Sequence, residues 1–258
     1  MDNFILKAYV FIFNNLSTVV WRENYAGVNS DGRNMVALTH PDLAEDFKEG
    51  MKFVADKDYT KAAELFKKIA EQGHAEAQFY LGLMYEGGQG VTKDDQQAVY
   101  WWTKAAEQGN VLAQNNLGLM YEQGQGVEQD YQKAANWFSM AAEQGDAEAQ
   151  YTIGFMYANG DGVPRDYLQA IFWFSKAAEQ GDVAAQFKVA LLLLGEVHTP
   201  DNDVKQDFIE AYKWFSIAAV DGDENAKDGL EVAESYLTPS AVEEAQRRAD
   251  EWIANHKK

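Results

Sequence analysis

The sequence predicts an all-α solenoid of about six antiparallel helix pairs. Three observations carry this. Residues 147–182, AEAQYTIGFMYANGDGVPRDYLQAIFWFSKAAEQGD, nearly match residues 111–146 and then residues 75–110. A fixed period of this size builds a stack of small units that contact mainly their neighbours. Apolar residues inside each copy recur at helical spacing, and glycine followed by a capping residue stands at the predicted helix boundaries.

Bulk properties narrow the function classes. A chain of 258 residues suggests roughly two domains by length alone, but the repeat makes one continuous solenoid the better expectation. Hydrophobic residues are 47% of the chain, with 7 Trp, 13 Tyr and 14 Phe, which is ample material for a core. The net charge of −19 repels phosphate backbones and argues against a nucleic-acid partner. It suits a solvated surface or a basic protein partner. The chain has no cysteine, which excludes disulfides, thiolate metal sites and a cysteine nucleophile.

Residues 1–40 stand outside the repeat and read as an irregular N-terminal extension. Residues 1–20 are apolar in patches, such as Phe4-Ile5-Leu6 and Ala8 to Phe13, and have the flavour of a weak export signal or anchor. Asp2 opposes Lys7, Asn14-Asn15 splits the apolar run, and the run is too short to span a bilayer. These features favour a cytoplasmic protein. Periplasmic or secreted placement, and any membrane contact, would require residues 1–20 to act as a signal or anchor. Helical order begins at Pro41: Leu43, Phe47, Met51 and Val54 share one helical face. Asp56-Lys57-Asp58 turns the chain, and Tyr59, Ala62, Ala63, Phe66, Ile69 and Ala70 mark a second helix.

In the next three units the first helix is expected over about 75–86, 111–122 and 147–158, and the second over about 95–108, 131–144 and 167–180. Gly73, Gly109, Gly145 and Gly181 suit the left-handed residue that ends a helix. Asn110, Asp146 and Asp182 suit the cap of the next first helix, and Asp94, Asp130 and Asp166 that of the second. Val91, Val127 and Val163 read as plugs that pin the connecting loops. Gly82, Gly118 and Gly154 interrupt the first helix at a cost of roughly 1 kcal/mol each against alanine, tolerable where two helices approach closely. Ala98, Ala134 and Ala170 are expected to face that gap. The Ala-Ala pairs at 105–106, 141–142 and 177–178 leave room for the next unit. Glu107, Glu143 and Glu179 stand in a last helical turn, where the macrodipole disfavours an anion, and are expected to reach the N-terminus of the following helix.

The repeating pattern is A-x-A-Q-x-x-L-G-x-M-Y-x-x-G-x-G-V, then D-x-x-x-A-x-x-W-[WF]-x-x-A-A-E-Q-G. Its first copy is Ala75, Ala77, Gln78, Leu81, Gly82, Met84, Tyr85, Gly88, Gly90 and Val91, then Asp94, Ala98, Trp101, Trp102, Ala105, Ala106 and Gly109. This resembles the Sel-one-like repeat (SLR) family, relatives of tetratricopeptide (TPR) proteins, over three nearly perfect and two looser copies. The resemblance implies a right-handed α/α superhelix over residues 41–240 and a protein-interaction adaptor. Bacterial relatives act in envelope assembly, signalling, host contact and toxin immunity.

The fourth unit departs from the pattern. Ala190 replaces the mid-helix glycine, and the loop from Gly195 to Gln206 is five residues longer. The second helix resumes at Phe208–Val220. A fifth unit starts near Glu224, and a charged helix over 241–258 is expected to shield the last exposed face, as solenoid ends require.

The sequence carries no catalytic constellation. His40, His74, His198 and His256 form no metal-binding spacing and read as surface or loop residues. The segment Gly87 to Lys93 lacks the ending of a phosphate loop. Asp201, Asp203 and Asp207 hint at a calcium loop, but the turn glycine is absent and Tyr212 stands where a bidentate glutamate belongs. No cofactor or metal is expected, and an enzyme with an unrecognised site is the lesser reading; some relatives bind β-lactams, but no residue here carries that over. A structural envelope factor is a third. Within this chain, packing positions repeat, whereas two adjacent first-helix positions vary: Phe79-Tyr80, Asn115-Asn116, Tyr151-Thr152 and Phe187-Lys188. In TPR-like superhelices the first helix lines the concave surface, so these residues are expected to contact the protein or peptide partner.

Overall fold

The computed structural model describes residues 41–195 and 206–256. Among these residues there are twelve helices and no strand: α1 Pro41–Ala55, α2 Tyr59–Ala70, α3 Ala75–Gly87, α4 Asp95–Glu107, α5 Val111–Gln123, α6 Tyr131–Glu143, α7 Ala147–Asn159, α8 Tyr167–Glu179, α9 Val183–Leu194, α10 Phe208–Val220, α11 Asn225–Ser235 and α12 Pro239–His256. The fold is the expected all-α solenoid class, with first helices odd-numbered and second helices even-numbered. The N-terminal extension, most of the long fourth loop, His40 and His198 lie outside the described residues.

Five of the six expected caps, Asn110, Asp146, Asp182, Asp130 and Asp166, make their bonds, and Asp207 does the same in the fourth unit. Asn110, Asp146 and Asp182 accept the N–H of Ala113, Ala149 and Ala185 at 2.9, 2.8 and 2.7 Å. Asp130, Asp166 and Asp207 accept the N–H of Lys133, Gln169 and Glu210, each at 3.0 Å. The same role at α3 falls to His74, whose Nδ1 accepts the Ala77 N–H at 3.3 Å while its ring stacks 5.0 Å from Phe47. His74 is therefore half-buried structure, where the sequence suggested a loop side chain; an imidazole nitrogen substitutes for the usual capping oxygen.

The chain divides into two compact units between Asp94 and Asp95. In the first, α1, α2 and α3 close around Phe66, which is fully buried. Phe47 and Tyr80 lie 5.6 Å from it, ring centre to ring centre. In the second unit, α4–α12, the mid-helix glycines explain the close packing of helix pairs. A Cβ at Gly118 would stand 2.6 Å from the Phe138 ring, and one at Gly154 would stand 2.9 Å from Phe174. The gap is thus filled by phenylalanine, not by the expected Ala134 and Ala170. A flat ring uses the bare backbone fully, and its burial contributes roughly 2–3 kcal/mol. The small pairs Ala141-Ala142 and Ala177-Ala178 are buried as expected, and Val163 packs against the cluster around Phe138 and Ile153.

A glutamine ladder joins successive repeats. Gln114, Gln150 and Gln186 are buried, and each Nε2 donates to a carbonyl in the last turn of the preceding even-numbered helix: Ala106 at 3.1 Å, Ala142 at 3.1 Å and Ala178 at 3.4 Å. Gln78 makes the same bond to Ala70 in the first unit, at 3.0 Å. The next repeat completes two rungs: Gln144 Nε2 donates to Gln114 Oε1 and Gln180 Nε2 to Gln150 Oε1, both at 2.8 Å. A buried amide left unpaired costs about 1–3 kcal/mol, so the repeated Gln is a strong constraint on register.

The terminal helix starts at Pro239, two residues before the expected start. Proline suits the first helical position, and Thr238 Oγ1 accepts the Ala241 N–H at 3.3 Å. α12 packs on α10 and buries Ala245, Ala249 and Trp252, spaced four and three apart. The Trp252 indole N–H donates to Glu179 Oε2 at 2.7 Å, and the His256 ring stacks 4.2 Å from the indole. Glu179 therefore serves the terminal helix rather than the helix that follows it.

Candidate functional site

No group of three or more His, Cys, Asp or Glu among the described residues could hold a metal, and no described helix is long and apolar enough to cross a membrane. The positions that vary between copies lie on the odd-numbered helices and are buried or half-buried.

Most members of the variable pairs make packing or hydrogen-bond contacts within the stack. The first members are built into the stack. Phe79 is buried against Tyr80, with ring centres 5.5 Å apart. Asn115 Nδ2 donates to Asp146 Oδ1 at 2.9 Å, which ties α5 to the cap of α7. Tyr151 lies 5.5 Å from Phe174, and burial, with the nearby Asp182 carboxylate, pushes its phenol pKa up. Phe187 lies 5.7 Å from Phe215. The second members, Tyr80, Asn116, Thr152 and Lys188, are half-buried, as are Asn115, Tyr151 and Phe187, and Tyr80 stacks on Phe66 inside the first unit. Thr152 Oγ1 bonds the Glu148 carbonyl of its own helix at 2.9 Å.

One turn beyond these pairs, the structure exposes residues that sequence reasoning missed. Leu119 on α5 is 40% exposed and Phe155 on α7 is 42% exposed, at the same position of neighbouring repeats. Leu191 on α9 occupies that position and is half-buried. All are apolar, so the signal was present. It was masked by the assumption that a residue type which repeats must pack. Glu122 stands in the last turn of α5, and Asp161 follows α7. The Glu122 carboxyl is raised above its ordinary pKa by partial burial and by the neighbouring Asp161 charge. Asn159 Nδ2 donates to Asp161 Oδ2 at 3.2 Å.

Stacked antiparallel helix pairs with a recurring glutamine ladder define a helical-repeat protein. The chain belongs to the Sel1 repeat family, whose profile matches residues 49–74, 75–110, 111–146, 147–182 and 183–223. A solved Sel1 repeat protein from Oxalobacter formigenes is 32% identical over 82% of each chain, with a TM-score of 0.61. The SLR-fold protective antigen c5321 of uropathogenic Escherichia coli is 27% identical, over 83% of this chain and 54% of its own, with a TM-score of 0.49. The immunity protein Pa5087 of Pseudomonas aeruginosa is 18% identical, over 84% of each chain, with a TM-score of 0.40. No curated protein matches the chain. As a class, Sel1 repeat proteins mediate protein–protein interactions and are typically non-enzymatic scaffolds.

Proposed function

We propose that this protein is a non-enzymatic adaptor that docks a protein or peptide segment on the shared face of α5 and α7. The observation that carries the reading is the exposure of Leu119 and Phe155 at matching positions of adjacent repeats. Large apolar side chains left in water by two neighbouring units form a surface that gains from being covered. Asn116 and Thr152, one turn earlier, supply polar groups at its edge. The expected partner is extended or helical, because a row of equivalent side chains suits a linear segment. The test is capture of partners from the source organism by affinity purification and mass spectrometry, comparing wild type with a Leu119→Ala/Phe155→Ala variant. Both residues are exposed, so the variant should keep its helical signal and melting temperature while losing the captured partner. Equal capture by the two proteins would place the interface elsewhere. A second variant, Asn116→Ala with Thr152→Ala, asks whether the variable pairs of α5 and α7 add to the same surface.

A further inference from the structure

We infer that the segment docking on the α5–α7 face carries lysine or arginine side chains interleaved with aliphatic ones, so that cations sit against Glu122 and Asp161 while apolar groups cover Leu119 and Phe155. This rests on the docking reading above and adds the chemistry of the partner. The charges carried by α5 and α7 themselves are one-signed, while Lys133 of α6 lies over the Tyr121 ring at 5.2 Å and pairs with Asp130 at 3.3 Å. Helices α5 and α7 contain Glu122 and Glu148 and no Lys, Arg or His. The loops that follow them, residues 124–130 and 160–166, hold a single cation, Arg165. Its guanidinium lies over the Tyr167 ring, 5.8 Å from the ring centre. Glu122 also stands in the last turn of α5, where the negative end of the helix dipole adds to its own charge. Partial burial, and then the neighbouring Asp161 charge, disfavour its ionised form.

Two carboxylates at the C-terminal ends of neighbouring first helices, Glu122 in the last turn of α5 and Asp161 held by Asn159 just after α7, make a local negative potential that an incoming ammonium or guanidinium relieves. The exposed apolar pair lies one turn away on the same helices, Leu119 three residues before Glu122 and Phe155 four before Asn159, whose amide holds Asp161. A partner with both features gains from two adjacent contacts: apolar burial provides affinity, while charge complementarity sets register and speeds encounter.

The test uses fluorescein-labelled twelve-residue peptides read by fluorescence anisotropy against the full chain. One alternates Leu and Lys, one Leu and Glu, and one Ser and Lys. The Leu/Lys peptide is expected to bind, and the other two at least about tenfold more weakly. Glu122→Gln with Asp161→Asn should weaken the Leu/Lys peptide by about tenfold or more and flatten its salt dependence. Glu107→Gln with Glu143→Gln, both exposed in the last turns of even-numbered helices, removes the same charge elsewhere and should leave binding unchanged. An equal loss in this control would mean bulk attraction to an acidic protein and would overturn the inference, as would absence of Leu/Lys binding. If Leu119→Ala/Phe155→Ala abolishes binding while the Glu122/Asp161 variant does not, the docking face stands and the basic partner is overturned. If the apolar variant leaves binding intact, the docking reading itself fails.

Discussion

The regular repeats α5–α8 and the C-terminal helices α9–α12 solve the same stacking problem with different chemistry. In α5–α8, Gln114 and Gln150 are satisfied on both sides: each amide donates to the preceding repeat and accepts from the next. At the following junction the ladder stops. Asp221 occupies the place of Gln144 and Gln180 with nearly the same backbone, φ −83° against −81° and −87°. A carboxylate has no proton to donate, and the buried Gln186 Oε1 is left without a hydrogen bond. Stability is recovered by tertiary contacts instead: Trp252 bonds Glu179 and packs 5.9 Å from Trp214. A repeat can therefore hold its neighbour by a local rule, whereas the end of the stack needs a side chain brought from 73 residues away.

This contrast can be broken at its strongest contact. Trp252→Ala should destabilise the C-terminal helices by about 3–5 kcal/mol, because it empties a packed site and strips Glu179 of its donor. Chemical denaturation should show this as a large drop in midpoint. Removing residues 241–258 should go further and expose Trp214, giving concentration-dependent association in light scattering; a monomeric truncation of equal stability would show that α12 is dispensable.

The regular repeats should be most sensitive at their glycines. Gly154→Leu forces atoms into the Phe174 ring and should cost about 1–3 kcal/mol, whereas the corresponding position in α9 already carries Ala190, which is fully buried. An unchanged denaturation midpoint for Gly154→Leu would show that the ring can move aside.

A gain of stability would sharpen the comparison from the other direction. Asp221→Gln places a donor opposite Gln186 on a backbone of the right conformation; the added bond should contribute about 0.5–1.5 kcal/mol, set against the interaction that the Asp221 side chain gives up. A crystal structure of the variant should show the introduced amide donating to Gln186 Oε1, as the Gln180 amide does to Gln150 Oε1.

The smallest effect is expected on the outer face of α12. Bonds from Arg247 and Arg248 hold the Glu244 carboxyl down at about 2, against an ordinary value of 4.5. Its folded pKa is depressed, so its contribution is present above pH 4.5 and is lost as pH falls towards 2. The group is solvent-exposed, where ion pairs contribute little. The midpoint difference between wild type and Glu244→Gln should therefore be slight at pH 7 and vanish below about pH 2.

Much of this was legible in the chain. The 36-residue repeat, the Gly-Asn/Asp boundaries and the buried Ala pairs follow from local rules, because capping and left-handed turns depend on residues a few positions apart. Helix ends came out within a residue or two for the same reason. The function surface was less legible. The four variable pairs lie on the same odd-numbered helices as the proposed docking residues, yet Asn115, Tyr151 and Phe187 are engaged in the stack, while the apolar position at Leu119 and Phe155 is exposed. Repetition in sequence records what each unit has in common, which includes surface as well as core.

By itself the sequence determined the helical class, the period, the caps, the acidic character and the absence of thiol chemistry, since each is set by composition or by contacts within one repeat. Only the tertiary structure decided that phenylalanine fills the glycine gaps, that His74 serves as a cap, that Gln186 lacks its rung and that Trp252 reaches Glu179. Each of these depends on distances between elements far apart in the chain. Such distances are set by the shape of the packed neighbours and are encoded nowhere in a single repeat.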